Sequence, residues 1–172
     1  QRFERGHAVT ELIEKGQAPE GSSNGSVICF QADPEIFKET TVYSYKTLQD
    51  RLREQAFLNA GINIELRDER NPEERIPEEQ GFERPIVNNY CYEGGIREFV
   101  DYLNKNKAVE VVHNDIIHFS SVAEEDNATA EVAMQYTDSY NELMLSFAND
   151  IRTVDGGTHE EGFKRAFTRV MN

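Results

Sequence analysis

"YKTLQDRLREQAFLNAGINIELRDER", residues 45–70, changes its period in the middle, and that change decides the fold class. Leu48, Leu52 and Ala56 recur four apart, the spacing of one helical face, and Gly61 stands where a left-handed helix cap is expected. Beyond it Ile62, Ile64 and Leu66 alternate with Asn63, Glu65 and Arg67, the period of a strand with one buried face. A helix followed at once by a half-buried strand implies a mixed α and β domain.

Working outward, the same alternation recurs. "HAVTELIEKG" (7–16) and "SVICFQAD" (26–33) predict two strands of a hairpin, joined by the turn-rich "QAPEGSSNG" and stopped by Pro34. "NPEERIPEEQGFERP" (71–85) is acidic and proline-rich, and is expected to be an exposed loop without chemistry. "IVNNYCYEGG" (86–95) is expected to be extended. "GGIREFVDYLNKNK" (94–107) carries Ile96, Phe99, Val100 and Leu103 at i, i+3, i+4 and i+7, a helical stripe, with Lys105 and Lys107 offsetting the dipole at its end. "DIIHFSSVAE" (115–124), "TAEVAMQYTD" (129–138) and "NELMLSFANDI" (141–151) predict three more strands joined by short polar turns. A last helix is expected to bury Phe163, Ala166, Phe167 and Val170. It reaches Asn172 without a stop signal, and Gln1 opens without a methionine, so the expectation is a piece of a longer polypeptide.

Composition sets limits on function. The 172 residues hold 38% hydrophobic side chains, enough for one globular core, and a net charge of −14 that repels nucleic acid outside any local basic patch. Cys29 and Cys91 lack CxxC spacing, which predicts free, buried thiols in a reducing, cytoplasmic setting. No run approaches the roughly 18 apolar residues of a membrane span, and the first residues lack a signal peptide's apolar core. The triplets at Asn24 and Asn127 are then chance glycosylation matches. His113 and His118, five apart, suit neither face of a metal-binding helix or strand. "EGSSN" (20–24) lies in a turn, and pairs such as Glu73 with Glu74 and Glu124 with Glu125 read as solvated carboxylates. Phosphate loops, nucleophile elbows and HExxH motifs are missing from the sequence.

The richest stretch is "TVDGGTHEEGFKRAF", residues 153–167. Three readings stand side by side. Thr158 and Glu161, three apart, can form a capping box, with Gly156 and Gly157 freeing the incoming backbone. Free amides at a helix start can cradle an anion, although Asp155, Glu160 and Glu161 would repel it. Catalysis by His159 lacks a nucleophile nearby in sequence.

The ordered series "RFERG", "ADPEIF", residues 45–70, "YCYEGGIREFVDYLNKNK", "VAMQYTDSYNELMLSFANDI" and "DGGTHEEGFKRAFTRVMN" resembles the B subunits of bacterial DNA gyrase, over nearly the whole chain. The related B subunit of topoisomerase IV shares the scheme, and a free-standing protein-binding module of the same fold is the alternative from another class. The resemblance implies an α+β fold: a mixed β-sheet backed by helices, the ribosomal-protein-like second domain of GHKL ATPases, with a left-handed β-α-β crossover. It implies that residues 1–172 form a single transducer domain, with the ATP-binding lobe upstream and a Q-T-K loop downstream of the chain. Its role would be to relay ATP-driven dimerisation to DNA strand passage and supercoiling. ATP and Mg would serve the full-length enzyme, in which DNA, the gyrase A subunit and a second B subunit would be partners, with no membrane. This stretch alone would be non-catalytic and bind no metal. Relay or hinge residues would be Gly156, Gly157, Thr158, His159 and Glu161, and DNA-cavity contacts Lys164, Arg165 and Arg169. With a charge of −14 and no phosphate loop, calorimetry of the chain with ATP should show no micromolar binding. Gel shifts with DNA should likewise vanish at physiological salt.

Overall fold

A computed structural model of the chain describes all residues except 18, 22–24, 83–85 and 124–127. The triplets at Asn24 and Asn127, the end of "EGSSN" and the Glu124–Glu125 pair lie outside the described residues. The elements are β1 (Phe3–Glu4), β2 (His7–Ala8), α1 (Tyr45–Leu58), β3 (Ile64–Asp68), β4 (Ile86–Tyr90), α2 (Gly95–Lys107), β5 (Ile117–Ala123), β6 (Ala128–Met134), β7 (Phe147–Ala148), β8 (Ile151–Arg152) and α3 (Thr158–Met171). The α+β class is as expected. Among the described residues the strands pair as four antiparallel ribbons, β1–β2, β3–β4, β5–β6 and β7–β8. The single mixed sheet with a β-α-β crossover is therefore not what the strand ladders form, since a crossover joins parallel strands.

Helix α1 is fixed at both ends. At its start the amide of Thr47 donates to the Ser44 hydroxyl (3.2 Å), while the amides of Tyr45 and Lys46 donate to the two oxygens of Glu79 (3.0 Å each). The first three amides, which no helix can pair internally, are all satisfied by side chains. Near its other end Phe57, 1% exposed, stacks on Tyr92 with centroids 3.6 Å apart and on Phe99 at 4.7 Å. This aromatic stack joins α1 to α2 and to the segment after β4. Phe147 reaches it through Phe99 at 6.4 Å, which brings β7 onto the same core.

Strands β3 and β4 pair from Ile64↔Tyr90 to Asp68↔Ile86 and alternate as the sequence predicts, with Leu66 turned toward the interior and Glu65 and Arg67 outward. Helix α2 also follows its pattern, with Phe99 buried; Lys105 pairs with Asp101 at 2.6 Å. Gly95 takes φ +58°, a left-handed conformation that favours glycine at this start of α2.

Other expectations are corrected. Of the N-terminal hairpin only His7–Ala8 is a strand, paired with Phe3–Glu4. Residues 26–33 form no strand, and Val27 is 98% exposed, because no strand among the described residues lies alongside to pair it. The third strand, 141–151, becomes the tiny β7–β8 hairpin, whose turn residues Asn149 and Asp150 have φ of 47° and 64°. Cys29 and Cys91 are exposed rather than buried; Cys91 lies between Tyr90 and Tyr92, which pack inward while its own side chain faces out. The stripe of α3 does not pack on a sheet: none of its residues is buried, Phe163 and Phe167 stack on each other at 5.7 Å, and Val170 is 83% exposed. Helical periodicity identified the apolar face, but no element among the described residues covers it.

The loop 71–85 departs furthest from expectation. Its Pro72–Glu74 and Pro77–Glu79 segments are single 3₁₀ turns, and Arg75 and Glu79 are buried together with Asp68. Arg70 donates to Asp68 at 2.8 Å, and Arg75 donates to the carbonyls of Phe82 and Arg70. A hydrogen bond from Arg70 holds the Asp68 carboxyl below the ordinary aspartate range against its burial. Burial pushes Glu79 up, but the amides of Lys46 and Tyr45, the Ser44 hydroxyl and Arg70 outweigh it and hold it low.

Both carboxylates therefore contribute stability that is fully present above their unfolded pKa and is lost as pH falls through the lower folded values. Glu79→Gln leaves one oxygen for three donors, so it should cost about 2 kcal/mol at neutral pH. Denaturant melts across an acid pH series should show a shallower loss for the variant than for the parent.

Candidate functional site: the turn ahead of the last helix

The expected relay segment borders a shallow, open depression of ≈ 360 Å³ lined by Met144, Leu145, Ser146, Arg152, Thr153, Val154, Asp155, Gly156 and Glu160. It is built by the β7–β8 hairpin, which lays Ser146 opposite Thr153, and by the glycine turn that swings α3 back toward that pair. The backbone amide of Thr153 donates to the carbonyl of Ser146 (2.9 Å), which closes the hairpin. Gly156 has φ +75°, a conformation that favours glycine. Gly157 is extended, so its need for glycine is spatial: a Cβ there would lie 2.7 Å from Cε1 of the His159 ring. The ring rests over Gly157 and points its Nε2 at Thr153.

The capping box between Thr158 and Glu161 does not form. The helix cap is Gly157, with no side-chain cap bond, and the amide of Glu161 donates to the Gly157 carbonyl at 3.1 Å. The chain enters the helix one residue earlier than the Thr-x-x-Glu spacing suggests, so Thr158 sits in the first turn. Glu161 instead accepts from Arg165 at 3.0 Å. Glu160, which the sequence offered only as a repelling charge, is the organising acid. One of its oxygens accepts from Ser146 Oγ at 2.8 Å and the other from Lys164 Nζ at 2.8 Å. Those bonds, Lys164 first, hold its carboxyl below the ordinary glutamate range, and Glu160 in turn raises Lys164.

The hydroxyls complete a chain. Ser146 Oγ lies 2.6 Å from Thr153 Oγ1, which lies 3.2 Å from His159 Nε2. Ser146 has one proton, and the ionised Glu160 can only accept. The arrangement that satisfies the three side-chain contacts together runs one way: His159 Nε2–H to Thr153, Thr153 O–H to Ser146 Oγ, Ser146 O–H to Glu160. Of the five relay candidates, Gly156, Gly157 and His159 shape this chain, whereas Thr158 and Glu161 stand outside it. Ser146, Thr153 and Glu160 were missed. Their partners lie 7 and 14 residues apart across a hairpin, and the one local signal is a pair of hydroxyl residues flanking Asn149–Asp150.

The three expected DNA contacts differ in their surroundings. Lys164 is held by Glu160 and stands 3.8 Å from Glu142, and Arg165 is paired with Glu161. Arg169 is exposed in the last turn. Away from the turn, His113 accepts the Tyr136 amide just outside the β5–β6 ribbon, and within that ribbon His118 meets Glu131 at 2.7 Å. Among the described residues no group of three His, Cys, Asp or Glu could hold a metal, and no helix is long and apolar enough to cross a membrane.

Comparisons with known proteins agree on one family. A family model described as DNA gyrase B matches residues 95–172. The B subunit of DNA gyrase from Staphylococcus aureus is 46% identical over 172 residues, all of this chain and 24% of that protein, and its counterpart from Staphylococcus epidermidis is also 46% identical. The chain thus spans about a quarter of the length of these curated relatives. Among solved structures, the 43K ATPase domain of Thermus thermophilus gyrase B, in complex with an aminocoumarin, matches with TM-score 0.58 and 28% identity, over 80% of this chain and 32% of that one. The B-subunit of the DNA gyrase from Myxococcus xanthus shares the fold at TM-score 0.57 and 22% identity, over 74% of this chain and 32% of that one.

Two hydroxyls of this turn should differ in what they contribute. Ser146→Ala removes a hydroxyl from two hydrogen bonds and should cost about 1 kcal/mol, whereas Thr158→Ala should stay within about 0.5 kcal/mol. Denaturant melts of the two variants measure the order, and a larger cost at Thr158 would restore the capping box.

Proposed function

Because the chain belongs to the DNA gyrase B family, we propose that it is the transducer part of the B subunit of an ATP-dependent type IIA topoisomerase, relaying ATP-driven dimerisation to strand passage and supercoiling. The observation that carries this reading is the 46% identity to a gyrase B subunit across every residue of the chain. The names of the relatives favour gyrase over topoisomerase IV. In this reading residues 1–172 act as one domain inside a longer, cytoplasmic subunit whose partners are DNA, the A subunit and a second B subunit.

The turn ahead of α3 does not suit the phosphates of ATP. The glycine-rich start of α3 presents the ionised Glu160, flanked by Asp155 and Glu161, which would repel a phosphate. In this reading ATP is held by other parts of the subunit, and the chain's own contribution is mechanical. DNA contact falls first to Arg169, since Lys164 and Arg165 lie beside carboxylates that already neutralise them.

The test is a full-length Staphylococcus aureus gyrase B subunit in which this chain replaces the matching segment, assembled with its A subunit. Introduction of supercoils into relaxed plasmid, dependent on ATP, is the expected result. ATP hydrolysis with no supercoiling would contradict the relay role.

A further inference from the structure

Helix α3 buries no residue, so its orientation rests on few directed bonds. Among the described residues, its hydrogen bonds to earlier parts of the chain are Glu160 with Ser146 and His159 with Thr153. Both partners sit at the base of the β7–β8 hairpin, on the two residues that close it. The far end of that hairpin is tied to the core: Gln55 of α1 donates to the carbonyl of Asp150 in the turn at 2.7 Å, and Phe147 meets Phe99 of α2. A displacement of α1 or α2 therefore reaches α3 through the hairpin and then through the hydroxyl chain. That chain is short, directional and bistable in principle. If the Ser146 proton leaves Glu160, Ser146 can only turn toward Thr153, and Thr153 can turn to the Ser146 carbonyl, 3.1 Å away.

We infer that Ser146 and Glu160 form a latch between the β7–β8 hairpin and α3, and are positioning residues for the coupling of ATP use to strand passage. Thr153 and His159 set the proton order of the latch, and Gly157 leaves room for the His159 ring. The inference rests on the transducer reading and names the atoms through which that relay runs. It differs from a glycine hinge, because a hinge only permits α3 to move, whereas the latch ties its position to the hairpin.

The experiment uses the same full-length chimaeric B subunit with its A subunit, and reads supercoils introduced per ATP hydrolysed. Ser146→Ala and Glu160→Gln should each lower that ratio about threefold or more, with DNA-independent ATPase close to the parent and a melting temperature lowered by only about 2–4 °C. Ser146→Thr, which keeps the hydroxyl, should restore it. The double variant should be no worse than the worse single one, as for two halves of one contact. An unchanged ratio, a double variant in which the two losses multiply, or ATPase falling in step with supercoiling would each overturn the latch. If the parent chimaera hydrolyses ATP yet introduces no supercoils, the transducer reading fails instead, and the latch with it.

Discussion

The contact that joins α1, α2 and the segment after β4 is the packing of Phe57. Its ring is the largest side chain fully withdrawn from solvent, and it is stacked between rings from the segment after β4 and from α2. Such contacts combine burial of a large apolar area with ring-to-ring geometry, so they fix orientation as well as proximity. Helix α1 thereby becomes the reference axis of the chain. Its start is gripped by Glu79 from a loop far downstream in sequence, its middle carries Arg53 against the Tyr90 and Tyr102 rings, and its last turns hold the aromatic stack and the Gln55 bond to the Asp150 carbonyl.

The grip on α1 explains why a loop of charges is kept inside. Buried charges are costly unless they are paired and hydrogen-bonded. Asp68, Arg70, Arg75 and Glu79 meet that condition through one another, through backbone carbonyls and through the free amides of a helix start. The cluster ties together β3, the loop and α1, three elements with little apolar surface in common.

What the sequence made legible follows its local physics. The switch of period at Gly61 placed α1 and β3, and i, i+3, i+4, i+7 spacing placed α2 and α3, because each pattern is read within a dozen residues. The same logic misplaced residues 26–33: alternation identifies a side chain that wants cover, but a strand also needs a neighbour for its amides and carbonyls. Thr158 was misread for a related reason. Gly157 and Thr158 both suit a helix cap, and the choice fell to the backbone course set by Gly156. Glu79 and Ser146 were invisible because their partners, Tyr45 and Glu160, are brought near only by the fold. The family resemblance singled out the segment ahead of α3 where spacing alone left three readings open, yet it named Thr158 and Glu161 and not the acid between the turn and Lys164.

In the proposed reading, these features make a body to which α3, a helix with no buried residue, is attached through a few directed contacts at the β7–β8 hairpin. The direct measurement is amide hydrogen exchange across the full-length chimaeric protein, with and without a non-hydrolysable ATP analogue. Peptides covering the β7–β8 hairpin and the first turn of α3 are expected to change together, while those covering α1 and α2 stay as they were. A change in α3 with the hairpin unaltered, or equal changes in all four elements, would contradict a relay that runs through the hairpin.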